Sequence, residues 1–272
     1  MRGSKRLSRA LCLTMFWLAP VLTASLATAQ VVPPTVVPPT MPIPPPLDTP
    51  DLIPSQFCTP GPSPVGLAWD GQSFWISDSQ TRRIYQLDPV TRQWDAGFGW
   101  QGKLLGPIAW DGDAMWVVDE GQGEIVRFDL ASRKTTKTSV HIPRGALRQP
   151  PAITGLAWDG KTVWLCNEGG LCACYYRMDV ASGRVLQSFF PRCEPRGLAF
   201  DGEYLWTIAY RGTSLPGMLS RRPLNDDALS LLTKLTFHWL VPARDPTALT
   251  FALGRLWVLD RDQRLLFSVA TK

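Results

Sequence analysis

An all-β fold, a five-bladed β-propeller closed by a strand from the N-terminal side, is predicted by this 272-residue sequence. Three observations carry that expectation. A Gly-Leu-Ala-aromatic-Asp-Gly motif recurs five times, alternating strand-like segments separate the copies, and the last copy ends one strand short.

The copies are Gly66–Gly71 followed by Phe74-Trp75, Ile108–Gly112 followed by Met115-Trp116, and Gly155–Gly160 followed by Val163-Trp164. Gly197–Gly202 precedes Leu205-Trp206, and a decayed copy, Ala248–Gly254, precedes Leu256-Trp257. The first aromatics, Trp69, Trp110, Trp158, Phe200 and Phe251, lie 41, 48, 42 and 51 residues apart, and each precedes a tryptophan by six residues. Asp-Gly between two apolar runs predicts a tight hairpin with both turn residues at positive φ. Third strands follow at Ile84–Asp88, Ile125–Asp129 and Tyr175–Asp179, and a fourth is read at Arg184–Phe190. The fifth copy reaches a third strand at Leu265–Ala270 and stops, so Ser55–Cys58 is expected to supply its outer strand and remove two exposed edges. Trp75, Trp116, Trp164, Trp206 and Trp257 occupy equivalent positions and are expected to pack between neighbouring sheets.

The propeller is expected to span residues 55–272. Residues 1–29 read as a signal peptide: Arg2, Lys5, Arg6 and Arg9, an apolar run Leu11–Leu26 broken by Pro20, then Ala27-Thr28-Ala29. The competing reading is an uncleaved anchor, since about 17 apolar residues is the lower limit for spanning a bilayer. Residues 30–54 read as a proline-rich linker, with ten prolines among Val31–Pro54; these favour polyproline II over sheet. The chain carries 28 Lys+Arg against 23 Asp+Glu, but four of the basic residues fall within the signal. The remaining charge of +1 argues against a nucleic-acid partner. The expectation is an exported chain, periplasmic or secreted, monomeric, with no membrane span after cleavage.

Export makes disulfides the first reading of the cysteines. Cys172–Cys193 is the preferred pair and Cys166–Cys174 the next, leaving Cys58 over. Zinc is disfavoured because Cys172-Ala-Cys174 has the wrong spacing, and two histidines, His141 and His238, are a poor supply for a triad or a multi-His site. No metal and no cofactor are expected.

The repeated motif, with Leu-Asp-Pro-x-Thr further on, resembles bacterial exported propeller repeats. These belong to the broad superfamily holding NHL and YVTN repeats, gluconolactonase/regucalcin proteins and plant-type glutaminyl cyclases. The resemblance implies metal ligands or a catalytic Glu near the starts of the innermost strands. The positions matching that ring here are Val65, Gly106, Thr154, Arg196 and Thr247, none a carboxylate. Arg196 is the one charge in the ring, reading as part of an anion site, as the partner of a neighbouring acid, or as simply solvated.

A second candidate set follows the tryptophan strands: Asp78, Asp119 with Glu120, Asn167 with Glu168, and Asp260 with Asp262. It reads as an acidic rim for a cation or sugar, or as turn residues satisfying backbone amides. Arg144, Arg148, Arg192 and Arg196 flank the third blade, and long insertions at Val140–Ile153 and Ser220–Asp245 are natural recognition loops. These features favour a non-catalytic scaffold for a protein, peptide or glycan. The alternative is a glutaminyl cyclase or lactonase type of enzyme with its acids displaced onto Asp119, Glu120 or Glu168.

Overall fold

The computed structural model describes residues 56–141, 152–168, 174–189, 194–212, 215–224 and 238–269. These form twenty strands and, among the described residues, no helix. The first strand, β1 (Gln56–Cys58), belongs to the last blade. Blade 1 is β2 (Pro64–Trp69), β3 (Phe74–Asp78), β4 (Arg83–Asp88) and β5 (Gln93–Gly99). Blade 2 is β6 (Leu105–Trp110), β7 (Met115–Asp119), β8 (Glu124–Asp129) and β9 (Lys134–His141). Blade 3 is β10 (Ala152–Trp158), β11 (Val163–Glu168), β12 (Cys174–Asp179) and β13 (Arg184–Phe189). Blade 4 is β14 (Glu194–Phe200), β15 (Tyr204–Tyr210), β16 (Gly217–Pro223) and β17 (His238–Val241). Blade 5 is β18 (Pro246–Ala252), β19 (Arg255–Asp260) and β20 (Leu265–Val269), completed by β1 in the order β1-β20-β19-β18.

All pairings within blades are antiparallel, and the inner strands meet in the cyclic order β2, β6, β10, β14, β18 and back to β2. The five-bladed expectation holds, including closure by the N-terminal strand: Gln56 pairs Phe267 and Cys58 pairs Leu265. Trp94 of β5 fastens this closure from the neighbouring blade, its Nε1 donating to the Cys58 carbonyl at 2.9 Å.

The five strand tryptophans are buried and bridge the blades. Trp75 packs with Ile108, Met115 and Val117 of blade 2, Trp116 with Ile153, Leu165 and Met178 of blade 3, and Trp164 with Leu198 and Leu205 of blade 4. Trp206 continues onto Leu249, Leu256 and Val258, and Trp257 closes the circle onto Leu67, Phe74 and Ile76. At about 150–250 Å² buried per aromatic, these rings are a large part of the cohesion between sheets.

The hairpin after each inner strand differs from the expectation. In blades 1 to 4 only the glycine has positive φ, at 102° for Gly71, 100° for Gly112, 90° for Gly160 and 103° for Gly202. The aspartate instead ends the strand and caps the turn; Asp70 Oδ1 accepts the Gln72 and Ser73 amides at 2.7 Å each. Its other oxygen accepts the indole N–H five residues on, Trp75 Nε1 to Asp70 Oδ2 at 2.7 Å. Blade 5 alone has the turn with both central residues at positive φ, Leu253 at 54° and Gly254 at 73°, and there the aspartate is replaced by Ala252. The aspartate serves the turn through its side chain, not through its φ.

Two disulfide expectations meet the structure differently. Cys172 and Cys193 lie outside the described residues. Cys166 pairs with Tyr175 and Cys174 with Asn167, so strand alternation puts Cys166 and Cys174 on opposite faces of the sheet. The Cys166–Cys174 bridge is therefore corrected: it does not form. Cys58 is exposed.

Candidate functional site at the central mouth

The ring of inner strands is pinched shut halfway along its axis. Gly66, Pro107, Gly155, Gly197 and Ala248 meet there and leave no room for a water between them. A Cβ on Gly197 would sit 2.8 Å from the Leu249 amide nitrogen and 2.9 Å from the Ala248 carbonyl carbon, so backbone meets backbone. The recurring glycine of the motif exists for that approach.

Above the pinch, on the side where the chain enters each blade, a mouth of about 260 Å³ opens. Every inner strand carries a register irregularity at this level, between Pro64 and Gly66, Leu105 and Ile108, Ile153 and Gly155, Pro195 and Gly197, and Pro246 and Ala248. A bulge leaves its extra residue unpaired and re-aims the side chain. The bulged residues are the ring positions read from the sequence, and Val65, Thr154, Arg196 and Thr247 line the mouth.

The carboxylates come from one turn further on. Glu120 and Glu168 both line the mouth, as do Ser79 and Arg261 at equivalent positions in blades 1 and 5. Glu120 leans over Gly106, where a Cβ would meet its Cγ at 3.2 Å; the ring position without a side chain makes room for the acid. Its backbone is fixed by a bond from its amide to the Leu104 carbonyl at 3.1 Å. Its carboxyl has no hydrogen-bond or ion-pair partner among the described residues. Burial, and secondarily the negative Asp119 beside it, push that carboxyl up from 4.5 to about 7.

Glu168 is spoken for. Arg196 Nη1 lies 2.7 Å from its Oε2 and Nη2 donates to its Oε1 at 3.0 Å, a two-pronged pair. The guanidinium also lies over the Tyr210 ring, 5.0 Å from its centroid. Of the readings of Arg196, the paired one is realised. Arg261 is likewise paired, Nη2 to Asp245 Oδ2 at 2.8 Å.

The neighbouring residues of the acidic set are structural. Asp78, Asp119 and Asp260 are fully buried at the ends of β3, β7 and β19, where they tie down the incoming connection. Asp78 Oδ2 accepts the Ser63 amide at 2.6 Å, Asp119 accepts the Lys103 and Leu104 amides at 3.0 and 3.2 Å, and Asp260 Oδ2 accepts the Arg244 amide at 2.5 Å. Asn167 is buried as well, accepting the Cys174 amide at the start of β12 at 2.8 Å. Asp262 is exposed, 3.8 Å from Arg244. An acidic rim built from all of them is thus not what forms: Glu120 and Glu168 reach the mouth, while Asp119 and Asn167 are consumed by backbone. Arg144, Arg148 and Arg192 lie outside the described residues, as does most of the two long insertions. Among the described residues no group of three His, Cys, Asp or Glu is placed to hold a metal, and no helix is long and apolar enough to cross a membrane.

No protein-family model matches this sequence, and no curated protein sequence does. Solved structures do resemble it. Glutaminyl cyclase from Myxococcus xanthus superposes with a TM-score of 0.56 at 11% identity, covering 78% of this chain and 92% of that one. Regucalcin from Agrobacterium tumefaciens, described as a calcium-binding protein, superposes with a TM-score of 0.50 at 13% identity, covering 78% and 90%. What is shared is the propeller. At such identities the likeness is one of fold, and site chemistry has to be argued from this chain's own residues.

Proposed function

We propose that this protein is an exported, non-catalytic binding propeller whose central mouth reads a protein or peptide partner. One observation carries the reading: among the described residues, the charged groups of the mouth are already paired, Glu168 with Arg196 and Arg261 with Asp245, except Glu120. A single unpaired carboxyl in a half-apolar cup suits recognition of one group. The signal-like residues 1–29 and the proline-rich 30–54 support export and a tether.

The reading is tested with the exported protein recovered from its own envelope. Partner retention by the wild type, lost in Glu120→Gln with no fall in melting temperature, is the expected result. Equal retention by both proteins would remove the mouth from the account.

A second reading has its own observation. A carboxyl raised to about 7 is poised as a general acid or base near neutral pH. An enzyme of the glutaminyl cyclase or lactonase type would use Glu120 in that role, and turnover of an N-terminal glutamine peptide or a lactone that vanishes in Glu120→Gln would establish it.

A further inference from the structure

The walls and charges of the mouth specify more than a generic partner. Around Glu120 the cup is lined by Val65, Leu104, Leu105, Pro107 and Ile153. At about 260 Å³ it has room for an extended side chain. Its lower end is closed by the backbone ring at Gly66, Gly155 and Gly197, so nothing threads through.

Charge decides what enters. Among the described residues, the titratable and charged side chains facing this space are Glu120, Glu168, Arg196 and Arg261, with Asp119 buried behind Glu120 and Asp245 holding Arg261. Each arginine has its own acid. When Glu120 ionises, one negative charge is left without a counterpart. A second anion would add to that charge, and a neutral apolar group would leave the carboxylate both desolvated and unpaired. A compact monocation on an apolar stem satisfies the acid and the walls together.

We propose that the mouth takes one alkyl-ammonium group, a lysine side chain presented by the protein partner, with its ammonium against Glu120 and its methylenes along Leu104, Leu105 and Ile153. The proposal rests on the binding reading above and names the group that is read.

The test uses the full chain and blocked lysine, Nα-acetyl-lysine methylamide, against the same compound acetylated on Nζ, followed by calorimetry or by shifts in amide NMR resonances. Expected is binding of the lysine probe, at least tenfold weaker binding of the acetylated one, and loss of the preference in Glu120→Gln. Lysine stays charged from pH 6 to 8 while Glu120 ionises, so affinity of the wild type should rise about tenfold over that interval. That pH series needs no variant and stands even where a substitution fails to fold. Equal binding of the two probes, no binding of either, or an affinity flat between pH 6 and 8 would each overturn the proposal. The two readings fail separately. An envelope partner held at a site that the lysine probe does not displace leaves the scaffold standing and sinks the lysine assignment. Turnover at the mouth sinks the scaffold whatever the probes do.

Discussion

Trp164 Nε1 donates to Asp159 Oδ2 at 2.8 Å, five residues back across the turn that joins the two innermost strands of its blade. The same bond recurs as Trp75 to Asp70, Trp116 to Asp111 and Trp206 to Asp201. In blade 5 the aspartate is gone, and Trp257 Nε1 donates to the Ala252 carbonyl at 3.1 Å. The bond satisfies an indole N–H that must be buried wherever the ring bridges two sheets. Asp159 also accepts the Thr162 amide and hydroxyl, both at 2.6 Å, and pairs with Arg177 at 3.2 Å.

Asp159→Ala should therefore destabilise the propeller by about 2–4 kcal/mol, since it strands several buried or half-buried donors at once. Burial pushes this carboxyl up, but the Thr162 and Trp164 bonds outweigh it and hold the group below its ordinary 3.8. A depressed carboxylate contributes stability above its unfolded pKa and loses it as pH falls through the folded value. The gap between wild type and variant in denaturant melts should thus be full at pH 7 and shrink below about pH 4.

Leu253 occupies the first centre of the only hairpin turn of its kind here, with φ at 54° and its side chain exposed. A γ-branched residue gains nothing there and bears the left-handed penalty of about 1–2 kcal/mol. Leu253→Asn places Asn-Gly in a turn whose two centres both need positive φ and should raise stability by about 1 kcal/mol, read as a higher melting temperature.

Gly197→Ala is expected to cost about 2 kcal/mol or more, because its Cβ would press on the backbone of blade 5, which cannot rotate away. Gly71→Ala has open space around it and would be penalised only through its φ of 102°. A larger loss of melting temperature in the second variant than in the first would contradict the account of the pinch.

Glu120 reverses the usual acid behaviour of a carboxylate. Its folded pKa, about 7, exceeds the ordinary 4.5, so the folded protein gains stability as pH falls from above 7 toward 4.5 and holds the penalty at higher pH. Glu120→Gln should consequently be more stable than wild type at pH 8 and close to it at pH 5, measured by thermal melting at the two values.

How much of this could be read from the chain follows from what each residue answers to. The five copies fixed the blades because backbone pairing and tryptophan burial recur with the motif, and the missing strand of the fifth copy pointed to Ser55–Cys58, of which Gln56–Cys58 forms the strand. The ring positions Val65, Thr154, Arg196 and Thr247 were legible as well, since they sit at a constant distance before each first aromatic. Which acids reach the mouth was not. Asp119 and Glu120 are neighbours in sequence, yet the last residue of β7 turns inward to the Lys103 and Leu104 amides and the next one leans over Gly106. That choice depends on a connection and a missing side chain that belong to different parts of the chain. The Asp-Gly turn misled for a similar reason: the aspartate serves a tryptophan five residues away, and only Leu253-Gly254, which has lost it, adopts the tighter turn.

The central claim is that the mouth recognises rather than transforms, through Glu120. It is tested most directly by following wild type and Glu120→Gln side by side, at pH 8, for binding of the blocked lysine and for turnover of an N-terminal glutamine peptide and a lactone. The account predicts lysine binding by the wild type only and turnover by neither. Wild-type turnover that disappears in Glu120→Gln would contradict it.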